Sequence, residues 1–115
     1  MDGRPLRKVA DYLATSFGAR YLDTITTAGM VRHLVTDTEQ TAAIMASLGL
    51  SIRKHGSRHV AVVAHHDCAG NPVPDKTQKQ QVSTAVARIK TAQPEIEVLG
   101  LWADEHWIIS RVWPT

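Results

Sequence analysis

Apolar side chains recur along the chain with two different periods, one typical of helices and one typical of strands. Residues 5–17 carry apolar side chains at helical spacing after a proline that suits a first helical turn. The same spacing runs from Thr38, a candidate N-cap, to Gly56, a candidate C-terminal stop, and it returns in residues 76–91. The pattern therefore predicts three helices.

Extended segments alternate with these helices. The stretch YLDTIT, residues 21–26, is rich in β-branched and aromatic side chains and predicts a short strand before a loop at Gly29. The stretch HVAVVA, residues 59–64, is almost continuously apolar, which predicts a central parallel strand covered by helices on both faces. Residues 96–102 and 106–113 predict two further strands joined by a hairpin or bend. This alternation indicates an α/β fold.

Composition and charge narrow the class of protein. A chain of 115 residues with 43% apolar and 21% charged residues predicts one globular domain, residues 1–115. The formal charge of +2 is scattered, which argues against nucleic acid as a partner. A single cysteine without a secretory signal predicts a cytoplasmic protein, and no apolar run approaches the ~20 residues of a membrane span.

Candidate chemistry directly follows the second predicted strand, residues 59–64, in the order His65, His66, Asp67, Cys68. Ligands of open α/β sheets gather at the carboxyl ends of parallel strands, where this loop lies. The spacing His-x-x-Cys lets an imidazole and a thiolate converge on one zinc ion, although a zinc site needs at least three protein ligands. The structural alternative makes Cys68 a small apolar filler and the residues around it a turn.

Longer stretches of the chain resemble the β-class carbonic anhydrases. VAVVAHHDCAGNP, residues 60–72, resembles the strand and zinc loop of that family, with His65 and Cys68 at the ligand positions. Residues 21–31 resemble its second strand with an Ala-Gly loop, and residues 98–112 resemble its closing strand pair, in the same chain order. The resemblance implies a three-layer sandwich, with a central, mostly parallel sheet flanked by helices, and zinc as the cofactor.

The first motif of that family, Cys-x-Asp-x-Arg, is matched only in part by the opening MDGRP. Asp2 and Arg4 match its Asp-x-Arg pair, and the cysteine would fall one position before Met1. We therefore expect an N-terminal truncation or misassigned start, with a natural variant that lacks both the cysteine and the first strand as the alternative. The resemblance makes Asp2 and Arg4 catalytic: Asp2 orients the zinc-bound hydroxide or instead ligates zinc, while Arg4 keeps Asp2 ionised. Asp2, His66 or a partner subunit could supply the third ligand.

The function implied by the resemblance is zinc-dependent hydration of carbon dioxide to bicarbonate. The resemblance also allows a related reaction, in which the substrate is carbonyl sulfide or carbon disulfide instead of carbon dioxide. The alternative from another class is a non-catalytic relative that binds a metal, an anion or a protein. Expected partners are a small-molecule substrate and a second copy of the chain, in a homodimer or higher homo-oligomer, without nucleic acid or membrane.

Overall fold

A computed structural model describes residues 1–114, and Thr115 lies outside the described part. The fold is mixed α/β, and none of its helices is long and apolar enough to cross a membrane within the described residues. In chain order its elements are α1 (Leu6–Phe17), α2 (Arg32–Val35), α3 (Glu39–His55), β1 (His59–His65), α4 (Asp75–Ala92), β2 (Glu97–Ala103) and β3 (Ile109–Trp113).

The three predicted helices are confirmed as α1, α3 and α4. The ends of α3 show why neighbouring residues alone were enough to predict where a helix begins and ends. The Thr38 hydroxyl accepts a hydrogen bond from the Gln40 N–H at 3.3 Å, and the Thr41 hydroxyl accepts one from the Thr38 N–H at 2.8 Å. Gly56 ends the helix in the left-handed region, with φ of 68°. The four-residue α2 was not predicted, because one turn is too short to show a period.

The sheet has the order β1-β2-β3 in the described chain. β1 and β2 pair in parallel from His59 opposite Glu97 to His65 opposite Ala103, and β2 pairs antiparallel with β3. The predicted parallel pairing and the closing hairpin are thus confirmed. Four buried residues of α4 join the sheet in the core, namely Val82, Ala85, Val86 and Ile89.

The predicted central position of β1 is wrong for the described chain, because β1 pairs only with β2 and lies at the edge of the sheet. Its apolar run indicated correctly that side chains on this strand are covered, since Val62 and Ala64 are buried. A run of apolar side chains reports on the two faces of a sheet. It does not report whether another strand lies along each edge.

The strand predicted for residues 21–26 is also absent from the structure. Tyr21 in this segment is 87% exposed, and Asp23 is held by side chains of α3 rather than by a strand. The Ser51 hydroxyl donates to Asp23 Oδ2 at 2.5 Å, and His55 Nδ1 lies 2.6 Å from the same oxygen. A strand requires a partner for its backbone groups, and no described strand lies beside this segment.

A groove of about 410 Å³ lies between β1, residues 21–26, α1 and α3. Apolar side chains from α1 and α3, including Leu13 and Leu48, line it together with β1. Met1, Asp2 and His65 also border the groove, so the start of the chain lies next to the carboxyl end of β1. The mixed α/β class is confirmed, and the three-layer arrangement stays a prediction.

Candidate metal centre

His65 ends β1 with one ring nitrogen already engaged. Its Nδ1 lies 2.8 Å from the backbone carbonyl oxygen of His66. A carbonyl oxygen only accepts hydrogen bonds, so Nδ1 carries the proton and donates it, which leaves the Nε2 lone pair of the neutral ring available. The side chain is only 12% exposed. His65 is thus oriented as a metal-ligating histidine usually is, with a backbone oxygen behind the ring.

Cys68 shares a small cavity with His65. The cavity has a volume of about 50 Å³, and its other lining residues include Met1, Asn71 and Gln78. The Gln78 side-chain amide donates to the His65 carbonyl oxygen at 2.9 Å, which fixes the end of the strand against α4. The structure therefore brings the two predicted ligands to one cavity that has room for a water-sized group.

The loop that carries Cys68 is held against a second loop by two glycines. A Cβ atom on Gly70 would overlap the backbone of Ala28 and Gly29, and one on Gly29 would overlap the Gly70 carbonyl group. Gly29 also adopts a φ of +63°, a conformation that residues with a Cβ rarely adopt. The sequence gave no sign that Gly29 and Gly70 are neighbours.

Asp2 and Arg4 form a closely hydrogen-bonded pair beside His65. Arg4 Nη2 donates to Asp2 Oδ2 at 2.6 Å, and Arg4 Nε lies 3.0 Å from both carboxylate oxygens. The Arg4 side-chain hydrogen bonds are the main reason why the pKa of Asp2 falls from 3.8 to about 2. Asp2 Oδ2 lies 3.9 Å from His65 Nε2. The predicted pair is thus ionised and adjacent to the free nitrogen of the predicted ligand.

Arg4 also connects this pair to two distant turns. Arg4 Nη2 donates to the Asp67 carbonyl oxygen at 3.3 Å, and the guanidinium carbon lies 4.5 Å from the centroid of the Trp107 ring. Asp67 and Trp107 have φ values of 57° and 60°, which are uncommon for residues other than glycine. Both left-handed residues therefore contact one arginine. The sequence gave no sign of this contact between Trp107 and Arg4.

A second group of ligand-type side chains lies next to His65. His66, Asp75 and Glu105 are the only three such residues in residues 1–114 whose ligand atoms all lie within 4.8 Å of one another. Asp2, His65 and Cys68 are not drawn together as closely. The hydrogen bond that His66 donates to the Asp75 carboxylate is the main reason why the pKa of His66 is raised, and the charges of Asp75, Glu105 and Asp67 add to it. Sequence spacing gave no signal for Asp75 or Glu105.

These features define a mixed α/β protein with an imidazole, a thiol and an arginine-bound carboxylate at the end of a parallel strand. The family model described as "Putative carbonic anhydrase" matches residues 1–113, and the chain belongs to that family. No curated protein and no solved structure matches the chain. The family suggested by the motifs is thereby confirmed.

Proposed function

We propose that the protein hydrates carbon dioxide to bicarbonate with zinc held by His65 and Cys68. One observation carries this proposal. In a chain of this family, His65 and Cys68 line one cavity at the end of β1, and the Asp2 carboxylate lies 3.9 Å from the ring nitrogen left free on His65. Imidazole, thiolate and an oriented carboxylate are the side-chain types that such a reaction needs.

The donor set fits zinc chemically. Imidazole nitrogen and thiolate sulfur are common zinc ligands, and zinc bound here would supply a Lewis acid that lowers the pKa of water to about 7. A third donor is required in addition. Asp2 has both carboxylate oxygens engaged by Arg4, which supports orientation of the reacting oxygen rather than ligation. His66 Nδ1 lies 2.9 Å from Asp75 Oδ2, on the side of a different group of ligand-type side chains, so a residue of a partner subunit is the favoured third donor in this proposal.

Asp2 and Arg4 perform the positioning steps in this proposal. Asp2 Oδ2 accepts a hydrogen bond from the attacking oxygen and directs the oxygen lone pair at the carbon of carbon dioxide. Arg4 keeps the Asp2 carboxylate ionised, so that it can accept a hydrogen bond. Two hydrogen bonds, from Nε and Nη2 of Arg4, fix the orientation of this carboxylate. The Trp107 ring and the Asp67 carbonyl group restrict Arg4 in turn. A carboxylate that is ionised and rigid costs no reorganisation during the reaction.

The experiment measures zinc content and carbon dioxide hydration on the same preparations, with stopped-flow detection by a pH indicator. We expect the zinc-loaded chain to catalyse hydration and Asp2→Asn to keep zinc but lose most of the rate, roughly 100-fold or more. Asp11→Asn, an exposed residue of α1, is the matched control and should behave like the unchanged chain.

A zinc-loaded chain that does not hydrate carbon dioxide would contradict this assignment. Sulfide release from carbonyl sulfide or carbon disulfide in the same preparation would point to the related reaction. Inactivity on all three substrates would favour the non-catalytic alternative. Sedimentation on the same samples tests the accompanying proposal of a cytoplasmic homodimer for its oligomeric state, for which exposed Ile108 and Trp113 are candidate contact residues.

A further inference from the structure

His66, Asp75 and Glu105 come from three separate parts of the chain and meet at one place. His66 follows β1, Asp75 is the first residue of α4, and Glu105 lies in the turn between β2 and β3. His66 Nδ1 lies 2.9 Å from Asp75 Oδ2 and 3.2 Å from Asp75 Oδ1. All three ligand atoms fall within 4.8 Å of one another. Tetrahedral ligands 2.0–2.2 Å from one zinc ion lie about 3.3–3.6 Å apart, so a small inward movement of the side chains would bring the three atoms to ligand distance.

Backbone hydrogen bonds fix two of these three positions. The His66 N–H donates to the Ala103 carbonyl oxygen at 2.9 Å, which extends the contact between β1 and β2 by one residue. The Asp104 carboxylate accepts hydrogen bonds from the N–H groups of His106 and Ile108, at 2.8 and 2.9 Å. This turn carries Glu105, so the group does not depend on a loosely held loop. Preformed positions reduce the entropy lost when a ligand binds.

The surroundings of His66 are negative and accessible. Asp75 and Glu105 contribute two carboxylates, and the carboxylate of Asp67 adds a third negative charge nearby. The side chains of His66 and Asp75 are 42% and 41% exposed, which leaves a path for an ion from solvent. Glu105 Oε1 also lies 3.7 Å from His106 Nε2, and that neighbouring imidazole competes for the carboxylate.

We propose that His66, Asp75 and Glu105 form a second divalent-cation site, suited to a borderline metal such as Zn²⁺ and separate from the pair His65 and Cys68. One imidazole with two carboxylates favours Zn²⁺ over Mg²⁺ or Ca²⁺, which prefer all-oxygen ligands. Three protein ligands leave at least one position for water. The two sites also use different elements, because Cys68 lies in the loop after β1, whereas Asp75 begins α4 and Glu105 lies in the turn between β2 and β3.

The test uses the Cys68→Ser chain, which lacks the thiol of the other site. Calorimetric titration with Zn²⁺ should show one equivalent bound, and Glu105→Gln should weaken this binding by roughly tenfold or more. Glu95→Gln is the matched control, because Glu95 is exposed and lies outside the group. Loss of the zinc equivalent in Cys68→Ser alone, or equal affinity in Glu105→Gln, would overturn the proposal.

A second measurement needs no substitution in the group. Co²⁺ added to the Cys68→Ser chain should broaden the backbone NMR signals of residues 66, 75 and 105 before those of other residues. In the unchanged chain, Co²⁺ at the thiol site would add a sulfur-to-metal absorption band that the imidazole–carboxylate site lacks. Broadening centred elsewhere would refute the second site. A missing sulfur band with intact broadening at residues 66, 75 and 105 would refute the first site alone.

Discussion

His65 and His66 are consecutive residues, and their rings differ in partner, exposure and chemistry. The His65 ring is 12% exposed, and its Nδ1 donates to a carbonyl oxygen, so Nε2 is the ring nitrogen that is left to bind a metal. The His66 ring is 42% exposed and faces the Asp75 carboxylate, which favours the protonated ring. The difference shows that the hydrogen-bond partner of a histidine decides how it can bind a metal: His65 offers Nε2 directly, whereas His66 must first give up the Nδ1 proton that it shares with Asp75.

The largest expected effect comes from removal of the only thiol. Cys68→Ser should lower zinc affinity on the His65 side by roughly 100-fold or more, because a hydroxyl is a much poorer zinc ligand than a thiolate. The fold should remain, since Cys68 is only partly buried. Zinc titration with circular dichroism checks both statements. Unchanged total zinc content would remove Cys68 from the ligand set, and a loss of all zinc would erase the distinction between the two histidines.

A smaller effect is expected from a methyl group between the two glycine loops. Gly70→Ala should destabilise the protein by about 1–3 kcal/mol, because the new Cβ overlaps the backbone of Ala28 and Gly29, which cannot move aside as a flexible side chain would. Urea unfolding of the metal-free chain measures the change. Gly3→Ala is the control, since its Cβ meets no atom within 4 Å.

The same substitution sharpens the comparison between the two histidines. Gly70 packs the loop of Cys68 against Ala28 and Gly29, which supply the atoms nearest to a Cβ built on Gly70, and neither Asp75 nor Glu105 is among them. We therefore expect Gly70→Ala to weaken zinc binding on the His65 side and leave the His66 side unchanged. If zinc binding were weakened equally on the His65 side and on the His66 side, the two sites would not be independent of each other.

The smallest expected effect is the pH dependence of the Asp2–Arg4 pair. The folded pKa of Asp2, about 2, is below its ordinary value of 3.8, so the stabilisation is complete above 3.8 and is lost as pH falls through about 2. The effect is modest because Arg4 is 47% exposed and solvent screens the pair. NMR titration of the Asp2 carboxyl carbon measures the pKa directly. Titration near 3.8 would mean that Arg4 does not hold Asp2 in solution.

Local signals explain which parts of the fold could be predicted. Thr38 and Gly56 mark the ends of α3 through side-chain and backbone effects that involve only neighbouring residues. The hairpin of β2 and β3 was predicted for the same reason, since its strands are close in the sequence. Residues 21–26 and the edge position of β1 were predicted wrongly. A strand is defined by its neighbours, which a local pattern does not contain.

The candidate site likewise contains residues that the sequence predicted and residues that it did not. His65 and Cys68 were predicted together because three positions of one loop separate them, and they do share a cavity. Asp2 and Arg4 were placed by family resemblance, and the structure brings Asp2, 63 positions earlier in the chain, to within 3.9 Å of His65 Nε2. The meeting of His66 with Asp75 and Glu105 depends on the register of β1 and β2 and on the start of α4. No spacing in the sequence encodes that convergence.

The outer edge of β1 governs how the isolated chain behaves at high concentration. Within residues 1–114, this strand presents unpaired backbone groups along seven residues, with neither proline nor lysine among them. Natural proteins usually block such edges, because an open apolar edge is a template for pairing with other chains and for aggregation. The strand that helps to position His65 is thus also the segment most prone to aggregate. We therefore expect the purified chain to stay monodisperse only if another strand pairs with the outer edge of β1.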